Sequence, residues 1–166
     1  MTYSDDDGRT WSKPEIITSQ VKDKNMKFMG VAPGRGIYTK NNRIIIPAYF
    51  TNEYDRQSSC VIYSDDEGKT WKRSKSVNHN RIVNNEKVDD FKEFNWFYQT
   101  GECQVVELDN GDIKLILRNQ FHGRPEKLQI ATSYDGGETF DSNIEDMPFM
   151  TQSNCCLLYT SDAADE

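Results

Sequence analysis

Along this chain, apolar and polar positions alternate in short runs, and clusters of Asn, Asp, Gly and Ser separate the runs. Such a pattern predicts strands joined by tight turns. Gly36-Ile37-Tyr38-Thr39 predicts one strand, and Arg43-Ile44-Ile45-Ile46-Pro47-Ala48-Tyr49-Phe50 a second. Asn41-Asn42 joins them, because Asn tolerates the positive φ that a hairpin turn demands. After a loop at residues 51–57, Ser59-Cys60-Val61-Ile62-Tyr63 predicts a third strand, and Thr70-Trp71-Lys72-Arg73-Ser74 begins a fourth. The same order returns later. Gln104-Val105-Val106-Glu107-Leu108 leads into Asn110-Gly111, a strong hairpin signal. Ile113-Lys114-Leu115-Ile116-Leu117-Arg118 comes back, and Leu128-Gln129-Ile130-Ala131-Thr132 follows.

One phrase punctuates this plan three times. It spans residues 4–11, 64–71 and 133–140, with the common form Ser-x-Asp-x-Gly-x-Thr-aromatic. Asn41 lies 23 positions before Ser64, and Asn110 lies 23 positions before Ser133. Hairpin and phrase therefore share one register, and the unit reads as a four-stranded antiparallel blade. The predicted fold is all-β: a partial β-propeller of two complete blades with partial flanking blades. A propeller closes with about four to eight blades, so this length is not expected to close alone. The phrase itself has turn chemistry. Asp caps backbone N–H groups, Gly supplies positive φ, and the aromatic covers the blade edge. Asp5-Asp6-Asp7-Gly8 lacks the ligand order of a calcium loop, so no metal is expected there.

Composition narrows the classes. Of 166 residues, 36% are hydrophobic and 11% aromatic, enough for a folded β-protein. A net charge of −7 counts against nucleic-acid binding. No apolar run reaches the roughly 18 residues of a membrane span, and no signal peptide is visible at Met1. Cys60, Cys103, Cys155 and Cys156 lack metal-ligand spacing and read as free buried thiols. The string from Cys156 to Glu166 resembles a reading-frame translation of a transposase-type sequencing adapter. The expected division is a partial propeller at 1–155 and a non-native tail at 156–166.

The blade plan also sorts residues by face. The first hairpin turn and the phrase lie at one face of the propeller. The start of a first strand and the end of a second lie at the other. Glu102 and Arg118 hold those two positions in one hairpin, so an acid and a base are expected side by side opposite the phrases. A plain cross-strand ion pair is the other reading. The same rule places Arg35 and Tyr49 on that face, with the loop 78–101 and its Phe91, Phe94, Trp96, Phe97 and Tyr98. That loop is expected either to form a ligand lip or to pack against a further blade. His79 and His122 read as surface histidines.

The three phrases resemble the Asp boxes of sialidases. The strings Val31-Ala32-Pro33-Gly34-Arg35-Gly36-Ile37, Arg43-Ile44-Ile45-Ile46-Pro47-Ala48-Tyr49, Gly101-Glu102-Cys103-Gln104-Val105-Val106-Glu107-Leu108 and Leu117-Arg118-Asn119 look like the secreted bacterial exo-sialidases. The resemblance implies a six-bladed propeller that removes terminal α-linked sialic acid with retention, using a Tyr nucleophile. It assigns Glu102 as the base that activates that Tyr and Arg118 as one of three arginines holding the substrate carboxylate. Arg35 and Tyr49 are the further candidates for substrate contact. The Tyr, the Asp acid/base and two arginines find no match within residues 1–166. The chain alone is therefore expected to be inactive. The implied partners are sialylated glycoproteins, glycolipids or oligosaccharides, with no cofactor or metal, and the parent is expected to be secreted or at the cell surface. An intramolecular trans-sialidase and a non-catalytic sialoglycan-binding propeller stay open as alternatives.

Overall fold

Both predicted hairpins form, with Asn42 at φ 62° and Gly111 at φ 89° in their turns. In the computed structural model, residues 1–119 and 127–151 are described; His122, Cys155, Cys156 and the tail 156–166 lie outside them. The chain runs through a one-turn helix α1 (Thr18–Val21), then β1 (Met26–Val31), β2 (Ile37–Tyr38), β3 (Ile44–Asn52), β4 (Gln57–Ser64) and β5 (Lys72–Arg73). A long connection carries β6 (Ile82–Val83), β7 (Glu86–Lys87) and a 3-10 turn (Trp96–Tyr98). The second blade is β8 (Thr100–Glu107), β9 (Ile113–Asn119), β10 (Lys127–Ser133) and β11 (Glu145–Thr151). Among the described residues, no helix is long and apolar enough to cross a membrane.

The sheets run β1-β3-β4-β5, with β2 also on β3, and β11-β10-β9-β8. Every pairing is antiparallel, as a blade requires. The first blade differs from expectation at its first strand, which is split. β1 pairs with β3 from Ala48 to Asn52, and β2 pairs with it at Ile44 and Ile45. The sequence reading began this strand at Gly36 and missed β1. The reason lies in Gly30, which interrupts the apolar run and has its Cβ position 2.6 Å from the Phe28 ring.

Both faces of the first blade are buried. Ile45 and Val61 face the second blade and pack on Cys103, Val105, Leu115 and Leu117. Alternate residues Ala48, Phe50, Cys60 and Ile62 face away and form a second core with Trp71 and Val21. Strand alternation sends consecutive side chains into different cores. That is why β4 is buried along nearly its whole length, including Ser58 and Ser59.

The boxes are self-sufficient turns. In the second, Gly68 N–H donates to Ser64 Oγ at 2.8 Å, and the Trp71 indole donates to the Gly68 carbonyl at 2.9 Å. Thr70 donates to Asp66 through its hydroxyl at 2.6 Å and its backbone N–H at 2.8 Å; Ser64 Oγ adds a third bond at 2.8 Å. The Thr70 hydroxyl is the largest cause that holds the Asp66 carboxyl down to about 2. A depressed carboxylate stabilises the fold above its ordinary value of 3.8 and loses that effect as pH falls through the folded value. Melting of the wild type and Asp66→Asn should therefore differ most above about pH 5, and the gap should close towards pH 2. A gap that does not change with pH would contradict this assignment.

Arg43 joins the second and third boxes. Its guanidinium donates to Asp65 at 2.6 Å, to the Gly136 carbonyl at 3.0 Å and to Glu138 at 2.9 Å. Lys40 N–H donates to the Glu107 carboxylate at 2.9 Å. Hairpin turns and boxes of both blades thus share one end of the structure, as the strand arithmetic predicts.

Candidate functional site

Glu102 and Arg118 meet at the opposite end. Arg118 Nη1 donates to Glu102 Oε2 at 2.7 Å, and the two side chains keep 29% and 31% exposure. The strands do not simply oppose them. Thr100 pairs with Asn119 and Cys103 with Leu117, so Gly101 and Glu102 together face Arg118 in a β-bulge. The first blade holds this bulge in place. Ser59 Oγ donates to the Gly101 carbonyl at 2.6 Å, and Ser59 N–H donates to Thr100 Oγ1 at 2.9 Å.

Stability alone does not account for this arrangement. A pair this exposed is worth only about 0–1 kcal/mol. A bulge also forfeits part of the ladder, and bulges cluster where a side chain must be re-aimed. Arg118 Nε is buried and has no partner among the described residues. Nη1 is bonded to Glu102, and Nη2 makes no hydrogen bond among the described residues, so the guanidinium keeps donor capacity there for another acceptor. Chemically, the site offers a positioned carboxylate base beside a planar cation suited to a carboxylate.

The other two candidates are placed differently. Tyr49 pairs across β3 and β4 with Ser59, the serine that holds the bulge. Its ring lies 5.6 Å from that of Phe28 and packs against the core between the blades. Arg35 is exposed in the turn between β1 and β2. Gly34 presses that turn onto the second blade, since a Cβ there would stand 2.6 Å from the Cys103 carbonyl. No hydrogen bond or ion pair joins Arg35 or Tyr49 to Glu102 or Arg118 among the described residues.

The loop 78–101 is stapled to the first blade. Asn52 Nδ2 donates to the carbonyls of Asp90 and Lys92 at 3.1 and 2.9 Å, and Arg56 Nε donates to that of Phe94 at 2.8 Å. Phe91 stacks on Phe50 at 5.6 Å, and Phe94 is buried. The Phe91 ring thus packs on its own blade. Trp96 and Phe97 remain exposed, at 51% and 42%. His79 is a partner of the buried Asp90 rather than a plain surface residue, with Nδ1 3.6 Å from Oδ1. Arg81 is buried too, donating to Asn78 and to the Tyr98 carbonyl, and burial lowers its guanidinium to about 10. The loop encloses an open cavity of about 570 Å³ beside Trp96 and Arg56. Among the described residues, no group of three or more His, Cys, Asp or Glu side chains could hold a metal ion.

The sequence reading missed the bulge, the Ser59 brace and the Arg56 and Asn52 staples. Gly101 was the available signal for the first, because a glycine inside a strand often marks a bulge. Nothing local marked the others.

Comparison with known proteins agrees with this geometry. The family model for BNR repeat-like domains matches residues 1–162. A sialidase of Bacteroides fragilis is 31% identical over 155 residues, covering 93% of this chain and 24% of the relative. The solved Hadza microbial sialidase Hz136 superposes with a TM-score of 0.66 at 31% identity, covering 84% of this chain and 23% of that one. An intramolecular trans-sialidase from Ruminococcus gnavus, solved with oseltamivir carboxylate, gives 0.67 at 28% identity, with 90% and 26% covered. The chain therefore spans about a quarter of the length of each of these relatives.

Proposed function

The chain belongs to the BNR repeat-like domain family, and from that membership we propose that it carries part of the active site of a retaining exo-α-sialidase. The observation that supports this reading is the Glu102–Arg118 pair, set on a braced bulge at the end away from the boxes. The substrate is a terminal α-linked sialic acid on a glycoprotein, glycolipid or oligosaccharide. Arg118 offers its unused donors to the substrate carboxylate. Glu102 takes the proton of a Tyr nucleophile supplied from outside residues 1–166.

The choice of nucleophile has a physical reason. The substrate carboxylate sits beside the anomeric carbon and repels an anion, whereas a phenol is neutral until a base deprotonates it. As the phenol proton passes to Glu102, the phenol oxygen bonds to the anomeric carbon. The glycosidic bond breaks, and an acid outside this chain protonates the leaving oxygen. Water, giving a proton to that same outside group, then attacks the anomeric carbon as the bond to the Tyr oxygen breaks; Glu102 returns its proton to the phenolate, and the second inversion restores the original configuration. Two arginines beyond residues 1–166 complete the clamp.

The likeness to an intramolecular trans-sialidase favours a second version of the same chemistry. There the second displacement is made by a hydroxyl of the sugar itself, and an anhydro sugar is released. The complete protein, incubated with a fluorogenic α-sialoside and followed by NMR, tests both. Release of the α-anomer first supports the retaining hydrolase, and an anhydro product supports the second version. Binding without any turnover would instead support a sialoglycan-binding propeller and overturn both.

A further inference from the structure

Trp96 is set apart from the other two tryptophans of the chain. Trp11 and Trp71 donate their indole N–H to the carbonyls of Gly8 and Gly68 inside their boxes. The Trp96 indole N–H makes no hydrogen bond among the described residues, and the ring is half exposed. Arg56 covers one ring face, with its guanidinium carbon 4.9 Å from the centroid. Arg56 is itself fixed, by its bond to the Phe94 carbonyl and by a 3.1 Å pair with Glu93. The ring is therefore a braced plate with a face and a donor to spare.

This plate edges the cavity of about 570 Å³, which Tyr98, Asn95, Glu86, Lys87 and Asp89 also line. That volume lies in the range of small-ligand sites. Aromatic surface with amide, carboxylate and ammonium groups of both signs suits a neutral polyhydroxylated ring. The apolar C–H face of such a ring covers the indole, and its hydroxyls find donors and acceptors around it. Near-balanced charge gives no preference for an anion, whose place is at Arg118. Trp96 precedes Glu102 by six residues, a chain length of at most about 20 Å, and the 3-10 turn shortens it.

We propose that this cavity receives the neutral sugars on the leaving-group side of the glycan, with Trp96 as their stacking platform. The proposal rests on the sialidase reading and adds the residue that selects for a glycan-linked substrate. Kinetics of the complete protein compare sialyllactose with methyl α-sialoside. Trp96→Ala should lower kcat/KM for sialyllactose about tenfold and that for the methyl glycoside less than about twofold, and Trp96→Phe should recover most of the loss. Equal effects on both substrates, or none on either, overturn the proposal. If the wild type cleaves neither substrate, the sialidase reading has failed independently. Lactose titration of the wild type still reads the cavity through indole fluorescence. A saturable change absent in Trp96→Phe supports the subsite; no change overturns it.

Discussion

Glu102→Gln in the complete protein is expected to lower turnover of an α-sialoside by about 10²-fold or more, with KM changing far less. The amide keeps the shape and one acceptor for Arg118 but cannot take a proton from a phenol. The loss should therefore fall on kcat. The bulge sharpens this expectation. Ser59 and Thr100 hold the backbone at residues 100–101 through bonds that do not involve the Glu102 side chain. The variant should keep the wild-type melting temperature, so a fall in rate reads chemistry. Undiminished turnover would remove Glu102 from the mechanism.

Arg118→Ala should cost about 10²–10³-fold in kcat/KM, mostly through KM. Removing the guanidinium deletes donors for the substrate carboxylate and leaves Glu102 without its 2.7 Å partner. Arg118→Lys separates these effects. A point charge restores attraction but not the planar fork, so it should recover only part of the affinity. Full recovery by Lys would show that the fork is not used. An unchanged KM in Arg118→Ala would remove the residue from substrate binding. The two experiments thus divide the pair, with Glu102 read in kcat and Arg118 in KM.

Much of this site was legible beforehand. Counting back from the Asn110-Gly111 turn brings Glu102 opposite Arg118, because antiparallel hairpins pair residues by simple arithmetic. The repeated box fixed which end of the blade each residue occupies, and Arg43 reaching Asp65, Gly136 and Glu138 bears that out. Trp96 was visible only as one aromatic among five in the loop 78–101. Its distinction comes from Arg56, 40 positions away, and from a cavity that no residue pattern announces. Phe91 and Phe94 looked equivalent to it in sequence, yet Phe91 is half-buried in a stack on Phe50, and Phe94 is buried, with its carbonyl bonded to Arg56.

The sequence by itself determined the central strands of both blades, the hairpins, the boxes and their register, though not β1 or β11. These depend on alternation, on residues that accept positive φ, and on bonds between residues a few positions apart. Only the tertiary structure decided what the face opposite the boxes can do. The bulge at Gly101–Glu102 exists where Ser59 of another blade reaches it, 42 positions back in the chain. The first strand is split at residues 32–36, where Gly34 lies against the Cys103 carbonyl of the second blade. Contacts of this kind arise from one blade packing on the next. Local propensity sets the shape of each blade, and packing between blades sets where its side chains are aimed.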